Sequence, residues 1–236
     1  MEVEAPQLSL EEQHARDRVW EAAVEANPCL FDGPVVACAG LERDGAHGLI
    51  LSWARVTYRH FALRRVPGNT SWLPSLFVDV VQPTDDGHIL VGRGSSSTAA
   101  PGRWQLPGGS VEPPEEGEPL DEAALRRHAA RELVEETGVD LAPEKLGPWG
   151  IVRSERHDIG FVFLAPPRPE AELREHFEAM TTAERALRRD PELDQMALVR
   201  SPAEVAALQG PHTYYLEAVV HRYAEASSRG DTEKPR

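Results

Sequence analysis

Hydrophobic and polar positions along the chain fall into blocks of two periods, one helical and one alternating. Ser9, with Glu12 three residues later, forms a capping box, and the spacing predicts a helix from there to about Ala26, stopped at Asn27-Pro28. The runs "VVACAGL" and "GLILSWARV" read as two strands joined by the turn "ERDGAH". "TYRHFALRRVPGNTSW" reads as part helix and part loop. A second group begins near Leu73, where "SLFVDVVQP" and "HILVGR" form a predicted hairpin across "TDDG". After the small-residue loop "GSSSTAAPG", "RWQLPGGSVE" is a short strand running into a glycine pair. "LDEAALRRHAARELVEETG" is a strong helix with Gly138 at its C′ position. The rest predicts strands at "LGPWGIVRSE", "IGFVFLAPP" and "MALVR", and helices at "EAELREHFEAM", after Ser201, and over about Thr213 to Ala224. The blocks divide into an extension over 1–70, a main domain over 71–226 and a polar, disordered tail over 227–236.

Composition narrows the classes. Apolar residues make up 41% of the 236, enough for a core, which argues against global disorder. A net charge of −14 and 6% aromatics disfavour a nucleic-acid partner. A polyanionic substrate would then need a metal ion or an arginine cluster. No run reaches the ~18 apolar residues of a membrane span, the N-terminus lacks a basic-then-apolar signal, and Cys29 and Cys38 read as two buried, reduced thiols. The expectation is a cytoplasmic protein with no membrane partner.

The helix near residue 130 carries the chemistry. At ~100° per residue, Glu132, Glu135 and Glu136 share an arc of about 100°, with His128 and Asp121 inside it, while Ala123, Ala130, Leu133 and Val134 occupy the other side. Like charges at these spacings repel by a few tenths of a kcal/mol per pair. A charge run is commonly a solvated face. Here, however, the opposite face is apolar and the stripe follows "LPGGSVE", whose glycines bring bare backbone close. Clustered oxygen ligands on a rigid element suit Mg²⁺ or Mn²⁺, which would cancel the repulsion.

"RELVEETGV" matches the second half of the Nudix box, R-E-U-x-E-E-x-G-U with U aliphatic, at every specified position. Gly109 and Glu115 in "LPGGSVEPPE" fit the G-x5-E of its first half. The box normally puts seven residues between that glutamate and the arginine. Here fifteen separate Glu115 from Arg131, and prolines 113, 114 and 119 mark the surplus as loop or an added turn. Glu115, Glu118 and Glu122 all remain claimants for the upstream glutamate. The stretches "VWEAAVEANPCLFDGP" and "TYRHF" resemble the N-terminal region of animal Nudix proteins that hydrolyse UDP-sugars.

The resemblance implies an α/β/α sandwich with a mixed sheet, plus a small N-terminal α+β extension. It implies metal-dependent cleavage of a nucleoside diphosphate linked to a moiety X, a small-molecule nucleotide partner, and a homodimer as one candidate assembly. The alternatives are a non-catalytic sensor, and a hydrolase of ADP-ribose or nucleoside triphosphates. By position, Glu132, Glu135, Glu136 and the Gly108 carbonyl would hold Mg²⁺ or Mn²⁺, and Arg131 would orient Glu132. Glu132, or a loop carboxylate such as Glu115 or Glu192 with Asp194 nearby, would take the proton of the attacking water, and Arg131 and Glu136 complete the catalytic set. Arg93, Arg103, Arg153 and Arg156 would take the remaining substrate charge, and Tyr58 and Arg59 would reach the base or sugar. Trp104 reads as a packing anchor, His128 as a neighbour of Glu132 more than a metal ligand, and His157 as an uninvolved loop residue.

Overall fold

In a computed structural model the described residues are 1–45 and 48–229. The tip of the expected "ERDGAH" turn and the expected tail beyond residue 229 lie outside them. The described chain forms two compact units, one of residues 1–45, 48–77, 110–124 and 153–160, the other of 78–109, 125–152 and 161–229.

The first unit opens with helix α1 (Leu10–Ala26), and the capping box is realised in full: Glu12 N donates to Ser9 Oγ and Ser9 N to Glu12 Oε2. Glu12 also accepts from Ser71 Oγ at 2.6 Å and Asn69 Nδ2 at 2.8 Å, which ties the helix start to a loop far along the chain. Strands β1 (Pro34–Asp44) and β2 (Gly48–Thr57) form an antiparallel pair with a bulge between Cys38 and Gly40. A 3-10 helix (Tyr58–Arg65) follows and packs on α1. Cys38 is buried as expected. Cys29 is exposed, against expectation, because it lies in the turn beyond α1, where its N–H donates to Asn27 Oδ1.

Strands β3 (Leu76–Val81), β6 (Gly108–Ser110), β7 (Gly147–Arg153) and β8 (Ile159–Leu164) form a sheet in the order β6-β3-β8-β7. Strands β4 (Ile89–Gly94), β5 (Trp104–Gln105) and β9 (Leu193–Val199) form another in the order β5-β4-β9. The predicted hairpin of β3 and β4 is therefore only half right. Thr84 N donates to His88 O as a tight turn requires, but β3 and β4 then leave for different sheets. Pro83 faces Ile89 in an isolated antiparallel bridge, and Leu90 N donates to Gln82 O before the two strands part. Pro107 splits the strand expected over "RWQLPGGSVE" into β5 and β6.

Helix α2 (Glu122–Thr137) starts where Asp121 Oδ1 accepts from Ala124 N at 2.8 Å. It stops at Gly138, whose φ of 75° suits glycine at a C′ position. Of the stretch between Glu115 and Arg131, residues 116–121 are loop and the rest belongs to α2, so the insertion is shared between loop and added helix. In the second unit α3 (Glu170–Ala186) and α4 (Pro202–Ala207) pack against β9, and α4 against α5 (Leu216–Arg229). Helix α5 begins and ends later than expected, and takes in Ser227–Arg229 of the predicted tail. No described helix is long and apolar enough to cross a membrane.

Candidate active site

The site is built around two glycines and one helix, all in the second unit. Gly108 has φ 157°, and a Cβ there would fall 2.1 Å from Val78 O. Gly109 has to be glycine for another reason: its Cβ would lie 2.7 Å from Glu132 Oε2, so the bare backbone is what lets that carboxylate approach. Gly108 N donates to Glu136 Oε2 at 2.7 Å, joining the turn to α2.

The three glutamates differ in environment. Glu136 is buried, Glu132 half-buried and Glu135 exposed. Glu136 is not part of a solvated face, because the turn bearing Gly108 covers it. Burial pushes the Glu136 carboxyl well above the usual range, and the charges of Glu132, Glu192 and Asp79 push the same way against the Gly108 hydrogen bond. Glu192, at the start of β9, is also raised, by loss of solvent and then by the charges of Glu132 and Glu135. It keeps solvent access, so its neighbours' charge is the more telling cause. Just beyond it a bulge in β9 opposite Arg93 and Gly94 sets Asp194 out of the ladder.

Sequence reasoning missed Asp79 and Tyr215. Asp79 on β3 is 3% exposed, and burial raises its carboxyl to about 8, with the Glu132 charge adding to this and a hydrogen bond with Tyr215 opposing it. Its Oδ2 has no hydrogen-bond partner. Tyr215 is raised well above its ordinary value, first by burial and then by Asp79. The available signal was one acid inside the apolar run "SLFVDVV"; a buried carboxylate of that kind calls for a reason.

The other expected residues divide. Arg131 donates to His128 Nδ1 at 2.8 Å, and His128 Nε2 lies 3.0 Å from Glu132 Oε1. Trp104 is a packing anchor, buried, with Nε1 donating to Gln209 O. Arg93 is half-buried and reaches Gly102 O at 3.4 Å, and Arg103 is exposed. In the first unit Tyr58 packs edge-on against Trp20 and Phe61. Arg59 pairs with Asp32 at 2.9 Å and with Asp17 at 3.6 Å. Arg153 donates to His157 Nδ1 at 2.7 Å, which gives His157 a partner it was not expected to have; Arg156 is exposed. Glu115 lies in the box loop, where its carbonyl accepts from Glu118 N. Among the described residues no three His, Cys, Asp or Glu side chains converge tightly enough to hold a metal ion as they stand.

The chain thus combines a mixed α/β fold with a glycine pair set against a helix bearing clustered carboxylates. The family model for the NUDIX domain matches residues 76–216, more than half of the chain, and the chain belongs to this family. It is a pyrophosphohydrolase of a nucleoside diphosphate linked to a second moiety, and enzymes of the family generally use divalent metal ions. No curated protein matches the sequence significantly. Among solved structures, the chain is similar to a NUDIX hydrolase from Nitrosomonas europaea (20% identity, TM-score 0.40, covering 65% of this chain and 90% of that one). It is also similar to a MutT protein from Methanosarcina mazei Go1 (20%, 0.44, 68% and 97%). A third is the NUDIX domain of Shewanella oneidensis NrtR complexed with ADP ribose (18%, 0.42, 66% and 88%). Family membership rests on the domain match.

Proposed function

We propose that the chain hydrolyses the diphosphate of a UDP-sugar with Mg²⁺ or Mn²⁺ held by Glu132, Glu135, Glu136 and the Gly108 carbonyl. The observation that carries the metal assignment is the mutual crowding of Asp79, Glu132, Glu136 and Glu192. Burial and the charge of Glu132 raise the carboxyls of Asp79, Glu136 and Glu192, with Glu192 and Asp79 also acting on Glu136, and a cation is the simplest group that would reverse this. The missing Cβ of Gly109 and the unpartnered Asp79 Oδ2 fit a site with room for an added charge.

The ion, when bound, supplies neutralisation of the diphosphate and a more acidic water. The rest falls to the chain. Glu136 accepts from Gly108 N and so fixes the turn whose carbonyl is a proposed ligand. Glu192 sits in the pre-β9 loop with a carboxyl raised by burial and by the charges of Glu132 and Glu135, which suits a group that takes a proton from water. Arg93 and Arg103 flank the small-residue loop and offer the second unit's cations to the substrate's phosphates. Glu115, Arg153, Arg156, Tyr58 and Arg59 are secondary candidates. Arg59 would first have to leave Asp32.

The UDP-sugar assignment rests on the N-terminal stretches, which form α1 and the 3-10 helix of residues 58–65 and fit a nucleotide-binding extension over 1–70. The proposal includes a cytoplasmic homodimer. The test is phosphate release after phosphatase treatment, with and without Mg²⁺, across UDP-sugars, ADP-ribose, dinucleotides and nucleoside triphosphates. UDP-glucose or UDP-galactose should be cleaved fastest and only with metal. Preference for another member would overturn the sugar, and binding without cleavage would indicate a sensor.

A further inference from the structure

We infer that His128 is a positioning residue for the proposed metal site, clamping the Glu132 carboxylate through its Nε2–H while Arg131 sets its tautomer. The inference rests on the metal reading above.

A guanidinium has only donors. The 2.8 Å contact from Arg131 Nη2 therefore makes His128 Nδ1 the acceptor, and the ring proton must sit on Nε2. That nitrogen lies 3.0 Å from Glu132 Oε1, one helical turn on. The approach is short but off-axis, and Nε2 has no aligned acceptor. A buried N–H without one is costly, so the ring favours any small rotation of Glu132 that brings Oε1 into line. The residue is 8% exposed, which leaves the ring little room to turn away.

The whole carboxylate also lies against Gly109: a Cβ there would fall 2.7 Å from Glu132 Oε2 and 2.9 Å from Oε1, so only glycine permits the approach. The carboxylate is therefore confined on one side by the Gly109 backbone and on another by the His128 ring at Oε1. A ligand fixed in this way arrives at the ion without losing side-chain freedom at the moment of binding. Partners behind metal ligands typically contribute 10- to 100-fold in affinity, by the general behaviour of such shells. On the helix wheel His128 falls on the carboxylate stripe, where a packing role alone would not require a polar ring.

The test uses the full chain and Mn²⁺ alone as probe, with free Mn²⁺ followed by electron paramagnetic resonance. His128→Leu keeps bulk and removes the donor. His128→Gln puts an amide N–H near the position of Nε2. His128→Asn is too short to reach Glu132. We expect Leu and Asn to weaken Mn²⁺ binding by ~10-fold or more, Gln to stay within ~3-fold of wild type, and the Mg²⁺ concentration for half-maximal hydrolysis to shift in parallel. If His128→Leu fails to fold, the Gln and Asn pair decides. Equal Mn²⁺ affinity in wild type and Leu, or in Gln and Asn, would overturn the inference and reduce His128 to core packing. A wild-type chain that binds no Mn²⁺ would instead overturn the metal reading itself.

Discussion

The first unit and the candidate site of the second treat their acidic residues in opposite ways. In the first, each notable carboxylate is satisfied by protein groups. Glu12 accepts from Ser71, Ser9 and Asn69, which hold it down at about 2. Asp158 accepts from Ser75 N, Ser75 Oγ, Ser154 Oγ and Arg64, at 2.6–3.1 Å. In the second unit Asp79, Glu136 and Glu192 are all raised, first by burial and then by the charge of Glu132. The first pattern costs little and reads as structure. The second is unfavourable as it stands, and a fold keeps such an arrangement where a positive charge is to be seated.

The largest expected break in this contrast is Glu136→Gln. Turnover should fall by about 10³-fold or more, while Tm in metal-free buffer holds or rises, because a buried carboxylate has been removed. Gly109→Ala should come next. Its Cβ would meet Glu132 Oε2, and activity should drop roughly 10- to 100-fold, whereas Gly40→Ala in β1, with its nearest contact at 3.7 Å, should be neutral in the same assay.

Asp158→Ala reads out the first unit's pattern. Both it and Arg64 are about 15% exposed, so loss of the pair should remove roughly 2–3 kcal/mol from urea unfolding, below the full value for a completely buried pair.

The smallest effects are in pH dependence, and their signs differ. Asp79 is raised to about 8, so its contribution to stability is complete below its unfolded value near 4 and is lost as pH rises through 8. Metal-free Tm should therefore decline toward alkaline pH, and Asp79→Asn should flatten the decline. His60 is lowered to about 4, first by burial and then by Arg16 and Arg64, and its Nε2 accepts from Leu73 N. Its contribution is present above about 6.5 and is lost as pH falls through 4, a loss that His60→Gln should reduce.

What was readable in advance follows how local the cause is. The Ser9–Glu12 box, the Gly138 stop and the Glu132–Glu136 stripe depend on neighbours within four positions, and all three were legible. Glu12's bonds to Asn69 and Ser71 span more than fifty residues, and nothing in the local pattern announces them. The partition of β3 and β4 into different sheets depends on which distant strands pair with each. Asp79 was overlooked because a lone acid in a strand acquires its meaning only from burial and from Gly108 and Tyr215, which come together in the fold. His128 was placed on the right face of α2, but the contact with Arg131 depends on side-chain rotamers, which helix spacing does not give.

The most direct test is a crystal of the full chain soaked in Mn²⁺ and measured for anomalous scattering. The account predicts a peak among Glu132, Glu135, Glu136 and the Gly108 carbonyl, at about 2.1–2.2 Å from its oxygen ligands. A peak elsewhere on the chain, or none at saturating Mn²⁺, would contradict it.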